Sequence, residues 1–320
     1  MKRRHRDTRF LDFALDSRIF EPRLEGLVTM IKGLSGMTIA LAAAALTTTL
    51  VVNSTTAVGQ GQAAYRAPRA SDGHPDLNGI WQAMNTANYD VEAHVARPAM
   101  ALRTGPYGPL PAAPVLALGA IGSVPGGLGV IDGGGEIPYK PEMLARRKEN
   151  QEKWLERDPE IKCYLPGIPR ANYMPFPFQI FQSSKAIFFA YEYAGAVRNI
   201  YLKDPGPAPV DSWMGQAVGR WEGESLVIDN TGFNDSTWFD RAGNFHSDKL
   251  KVTERFTRTG ADHLRYEATI EDPETFTKPW KITMPLYRRI EANAQLMEFK
   301  CVEFVEELMY GQWRKNPLPR

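Results

Sequence analysis

The chain has 320 residues and a formal net charge of +1, with 38 Lys and Arg set against 37 Asp and Glu. That balance gives no sign of a nucleic-acid surface, which is recognised by a basic patch or stripe. An apolar share of 43% over this length can fill one large core or two small ones, and abundant aromatics and glycines with scarce helical periodicity predict a β-rich fold.

At the amino end, Lys32 precedes the apolar run GLSGMTIALAAAALTTTLVV, and small polar residues follow through NSTTAVGQGQA. A positive flank, an apolar centre and a small-residue exit read as a secretory leader over residues 30–59, cut near Ala57-Val58-Gly59. Residues 1–29, ahead of Met30, then read as an upstream extension. Arg3-Arg4 lies too far from the run, with acids between, to make a twin-arginine signal. The run approaches the ~20 apolar residues a membrane span needs. Its Ala/Thr richness and small-residue exit favour cleavage, so no stable span is expected in the mature, periplasmic or secreted chain. Export also opens Cys163 and Cys301 to a disulfide, although sequence does not supply the Cα separation that a bridge requires.

Residues 60–175 read as an irregular region with a first strand and one helix, packed on the domain that follows. DLNGIWQ at 76–82 is the strand. From 98 to 140 Pro, Gly and Ala dominate, but no Gly-Lys-Ser/Thr follows, so a phosphate cradle is excluded. The helix spans 141–160, with Pro141 at its start and Met143, Leu144, Ala145, Trp154 and Leu155 on its apolar side.

From 176 to 315 the pattern switches to period two. Strands are expected at 178–184, 186–195, 196–204, 215–223, 224–233, 249–260, 262–273, 278–292 and 295–307, most of them joined by short turns. Successive short connections imply an antiparallel up-and-down sheet, which protects its edges by closing into a barrel.

Alternation then assigns faces. Mostly apolar sets take in Glu192, Asp229, Glu254, Arg288 and Glu303, so charged groups are expected to turn inward and meet one another, either as a structural network or as the lining of a cavity. Tyr191, Trp221, Trp238 and Trp280 are the aromatics expected beside them. The long polar connection 233–250 carries Asp235, Asp240 and His246, candidates with Glu254 for proton transfer; ordinary turn chemistry is the plainer account of it. No spacing of His, Cys or acids predicts a metal.

NGIW at 78–81 resembles the Gly-x-Trp opening of the first lipocalin strand. In that family an arginine from the end of the barrel stacks on the tryptophan, and Gly79, Trp81 and Arg314 are the positions that would carry the likeness. The 98–140 excursion and the helix depart from the lipocalin plan. Over 74–315, PDLNGIW, CYLPGIPR, YEYAGAVRNIYL, WMGQAVGRWEGESLVIDNTGFND and WFDRAGNFHSDKLKVTERF resemble a family of exported bacterial proteins of unassigned activity. The resemblance implies export and a calycin-like barrel, and it brings no reaction or catalytic residues with it. The expected function is binding of a largely apolar small molecule in a cavity with acidic groups. The rivals are a cofactor-independent lyase, isomerase or hydrolase on the same barrel, and a structural envelope domain whose barrel is filled.

Overall fold

The computed structural model describes residues 65–96, 102–105, 108–111, 125–299 and 301. Its centre is a closed barrel of nine strands: β1 (Gly79–Ala83), β4 (Phe178–Gln182), β5 (Ile187–Tyr191), β6 (Val197–Tyr201), β7 (Gln216–Glu222), β8 (Ser225–Thr231), β9 (Lys251–Gly260), β10 (His263–Glu271) and β11 (Trp280–Arg288). Two further strands, β2 (Leu102–Gly105) and β3 (Gly108–Pro111), pair only with each other, inside a stretch expected to be irregular.

Eight successive strands follow the period-two reading closely, because tight turns such as the one at Gly223 (φ +59°) leave hairpin pairing as the nearest partner. β1 closes the ring by lying antiparallel between β4 and β11. One pairing breaks the expected antiparallel rule. β6 and β7 run parallel, in register only at Ile200–Ala217 and Tyr201–Val218. The segment 202–215 returns the chain to the end where β6 began, and a connection of that length permits a parallel neighbour. The barrel is therefore mixed.

The expected last strand is not found among the described residues. Residues 295–299 and 301 are not in a strand, and the rest of 295–307, with Glu303, lies outside the described residues. Its place beside β11 is taken by β1 and, further along, by an isolated bridge from Ile131 to Ile282. The helix is shorter than expected: α1 (Leu144–Glu152) is followed by a single turn, α2 (Trp154–Arg157).

Both barrel ends are stoppered. At the first, residues 65–78 fold over the opening: Leu77 accepts the Trp81 indole N–H at 2.9 Å on its carbonyl and donates its own N–H to Gln182 Oε1 at 2.8 Å. Arg258 lies 5.9 Å from the Trp81 ring centroid and donates to the carbonyls of Asp76 and Ala261. So Arg258 occupies the place over the tryptophan that the lipocalin likeness would give to Arg314, which is outside the described residues. At the second end, α1, the segment 158–173 and the connection 232–250 form a lid. Between the stoppers Trp81, Phe178, Phe189, Phe256 and Tyr266 are fully buried, so side chains fill the lumen.

Candidate functional site

Among the expected inward charges that lie in the described residues, Glu254 alone is found in the lumen. It is fully buried on β9 between Val252 and Phe256. Its Oε1 accepts from Asn172 Nδ2 at 2.6 Å and from the Tyr266 hydroxyl at 2.8 Å. Its Oε2 accepts from Asn230 Nδ2 at 2.8 Å and from Arg198. The Tyr191 hydroxyl donates to Asn172 Oδ1 at 2.9 Å, closing the knot. Burial opposes the Arg198 charge, yet Glu254 outweighs it and raises the guanidinium pKa above its ordinary value. Burial, then Glu254, raises the Tyr266 hydroxyl well above the ordinary tyrosine range.

Arg198, Asn230 and Asn172 were not among the expected site residues. Arg198 shares a parity with Ala196 and Ile200, the signal that could have exposed it.

The remaining expected residues scatter. Asp229 points outward and pairs with Arg220, while Thr253 donates to it at 2.9 Å. The cause is the continuous run Leu226-Val227-Ile228, which is apolar at both parities; Leu226, Ile228 and Asn230 form the inner set. Glu192 likewise lies off the inner face, which in β5 is Ile187, Phe189 and Tyr191, and it accepts the Met297 N–H at 2.8 Å. Arg288 is half-buried at the end of β11, where an added Cβ on Gly79 would sit 3.1 Å from its Nε. Trp221 is at the first end, stacked on His74 at 4.6 Å. Asp235 is exposed.

Asp240, His246, Trp238 and Trp280 come together at the lid. Asp240 is fully buried, and four N–H groups donate to it: those of Val91, Ala242 and Asn244 and the Asn244 side-chain amide. Burial and the neighbouring Asp90 nevertheless push it up to about 7. His246 is 1% exposed; Nδ1 meets the Ser247 carbonyl at 2.8 Å, which leaves Nε2 to accept the Thr237 hydroxyl at 2.6 Å. Burial lowers the imidazole pKa. A hydroxyl on a neutral imidazole has the form of an activated nucleophile. Here it is covered, because a Cβ at Gly167 would already lie 2.6 Å from Thr237 Oγ1. Trp280 packs edge-on to Phe239 and Phe276 at 5.3 and 5.6 Å.

A second ionic knot holds the lid together. Arg170, 1% exposed, forks onto Asp158 at 2.8 and 3.0 Å, reaches Glu160 at 2.6 Å and donates from Nε to Asn88 at 2.9 Å. Arg241 adds a bidentate contact to Glu160 at 2.8 and 3.0 Å. Burial opposes the Glu160 charge, but Arg241 and Arg170 bring its pKa down to about 2. Cys163, just after Glu160, is joined to Cys301 across a Cα separation of 5.7 Å.

A concave surface lies outside the lumen. A cleft of about 780 Å³ opens at the lid end, between the start of β9 and the connection from β10 to β11. Leu250 and Phe276 are its buried apolar wall; Lys140, Lys251, Lys278, Glu271 and Glu274 stand around it. Asp272 anchors the rim, accepting the Ser247 N–H and hydroxyl at 2.7 and 2.8 Å. No group of His, Cys, Asp and Glu among the described residues is arranged to hold a metal ion.

Fold and site together define a mixed nine-stranded barrel with a filled lumen, two stoppered ends and a ligand-sized cleft beside the lid. No family model, curated protein or solved structure matches the chain.

Proposed function

We propose that this is an exported small-molecule-binding protein whose ligand lies in the cleft beside the lid instead of in the barrel. The observation that carries the reading is the cleft itself. Its volume of about 780 Å³ falls in the ~300–1,000 Å³ range of small-molecule sites. Leu250, Phe276, Pro273 and Pro279 suit a largely apolar body, and Lys140, Lys251, Lys278, Glu271 and Glu274 suit polar substituents at its edge. Export is supported by the leader pattern at 30–59 and by the resemblance to exported bacterial proteins. A structural role is the second reading, favoured by the aromatic filling of the lumen.

The test incubates purified protein with cell-envelope and plant-phenolic extracts and reads retained compounds by mass spectrometry. Thr231→Trp, at an exposed cleft position, serves as the blocked variant. Binding in the cleft predicts stoichiometric retention by the parent chain and at least a tenfold loss in the blocked variant, with its melting temperature intact. Retention of nothing supports the structural reading, equal retention by both proteins moves the site elsewhere, and conversion of the compound replaces a binder by an enzyme. Export is tested by N-terminal sequencing of protein recovered from the periplasm or medium, which should begin near residue 60.

A further inference from the structure

We propose that the ligand of the cleft beside the lid is an aromatic acid, its carboxylate held by Lys140 and Lys278 and its ring laid along Phe276. The inference names the ligand class for the binding reading above and rests on that reading.

Topology sets the two lysines about the apolar wall. Residues 138–140 lie against 275–277: Tyr139 bridges Phe276, Lys140 donates its N–H to the Thr275 carbonyl at 3.0 Å, and Thr277 donates its N–H to the Pro138 carbonyl at 2.9 Å. Lys140 and Lys278 therefore leave this short ladder at opposite ends, and both line the cleft together with Phe276.

Charge decides the polar end of the ligand. The acids of the cleft already have cations or donors beside them. Asp248 pairs with Lys249 at 3.0 Å, and Glu274 acts on the same ammonium group. Glu271 stands opposite Lys251 in the register of β9 and β10. Asp272 accepts the Ser247 N–H and hydroxyl and the N–H groups of Glu274 and Thr275. Among the described residues, no ion pair or hydrogen bond engages the ammonium group of Lys140 or Lys278. Lys140 is also half-buried, so a counter-ion beside it is screened less than one at an exposed lysine. One carboxylate answers both groups. A ligand of higher negative charge would meet repulsion from Glu271 and Glu274.

The wall decides the body. Phe276 and Leu250 are buried, while Pro273 and Pro279 stand exposed beside them. A flat ring covers such a surface with less loss of conformational freedom than a flexible chain.

Isothermal titration with cinnamate, and with cinnamamide as its neutral counterpart of the same shape, tests the class. Cinnamate should bind the parent chain about tenfold more tightly, and added salt should narrow the gap. The double variant Lys140→Gln, Lys278→Gln should bind the two compounds equally at an unchanged melting temperature, and Thr231→Trp should bind neither. An affinity for cinnamate no greater than for cinnamamide, with both lost in Thr231→Trp, overturns the carboxylate and leaves the cleft as the site. A preference for cinnamate that persists in the double variant overturns the role of the two lysines. Undiminished cinnamate binding by Thr231→Trp overturns the cleft reading and this one with it. Binding of neither compound by the parent chain overturns the aromatic-acid class.

Discussion

Glu254 is the residue on which the lumen turns. A carboxylate with four donors can stay charged in an apolar barrel because each lone-pair direction is met and its charge is matched by Arg198. Glu254→Gln keeps the shape, removes the charge and leaves Arg198 buried without a counter-ion. It should cost about 3–5 kcal/mol, read as a lower denaturation midpoint at unchanged slope. A loss under 1 kcal/mol would mean that solvent reaches the pair. Glu160 makes the matching pH prediction. Its folded pKa of about 2 lies below its ordinary 4.5, so its contribution is fully present above 4.5 and is lost as pH falls towards 2. Asp240 has the opposite sign. Its folded value of about 7 lies above the ordinary 3.8, so its contribution is present below 3.8 and declines as pH rises through 7. Glu160→Gln should flatten the acid limb of the stability profile by about 3 kcal/mol and leave the Asp240 limb in place. A profile unchanged below pH 4.5 would remove Glu160 from the account.

Among the elements, the lid is held by ions and the C-terminal strap by one covalent bond. Residues 289–299 form no strand, and most of them are exposed. Their tethers include the Arg289 N–H bond to the Ile80 carbonyl at 2.8 Å, the Met297–Glu192 hydrogen bond, the Phe299 ring against Phe176 and Tyr193 at 5.0 and 4.9 Å, and the Cys163–Cys301 bridge. The bridge closes a sequence separation of 138 residues. On chain-entropy grounds its removal in Cys163→Ser should cost about 4–5 kcal/mol, and reduction of the parent protein should cost the same. Limited proteolysis should then cut first within 289–299. Equal melting temperatures for oxidised and reduced protein would refute this role. Strand positions were legible in the chain because alternation and turn residues are local signals. The direction of the β6–β7 pairing was not, since it depends on where the 202–215 segment travels.

For the whole molecule, filling and stoppering give a single core that runs from Leu77 at one end to Phe276 at the other. Trp81 lies at the first end, and Trp280 belongs to the lid aromatics. Tryptophan reporters left singly at these two positions should therefore lose signal at the same denaturant concentration. Separate midpoints would divide the barrel from its lid. The candidate site is legible only at this scale. Glu254 could be read from β9 alone, whereas Arg198, Asn230 and Asn172 reach it from two other strands and the lid.

Composition and periodicity by themselves determined a β-rich chain, the positions of the barrel strands and the parity of β9 and β11, where apolar residues occupy one register alone. Only the tertiary structure decided the parity of β5 and β8, the partner of Glu254 and the site of the cleft. Runs that are apolar at both parities carry no orientation, and a buried charge finds its counter-ion across strands far apart in sequence. The physical reason is common to all three: local pattern fixes which residues alternate, while closure of the ring fixes which of them meet.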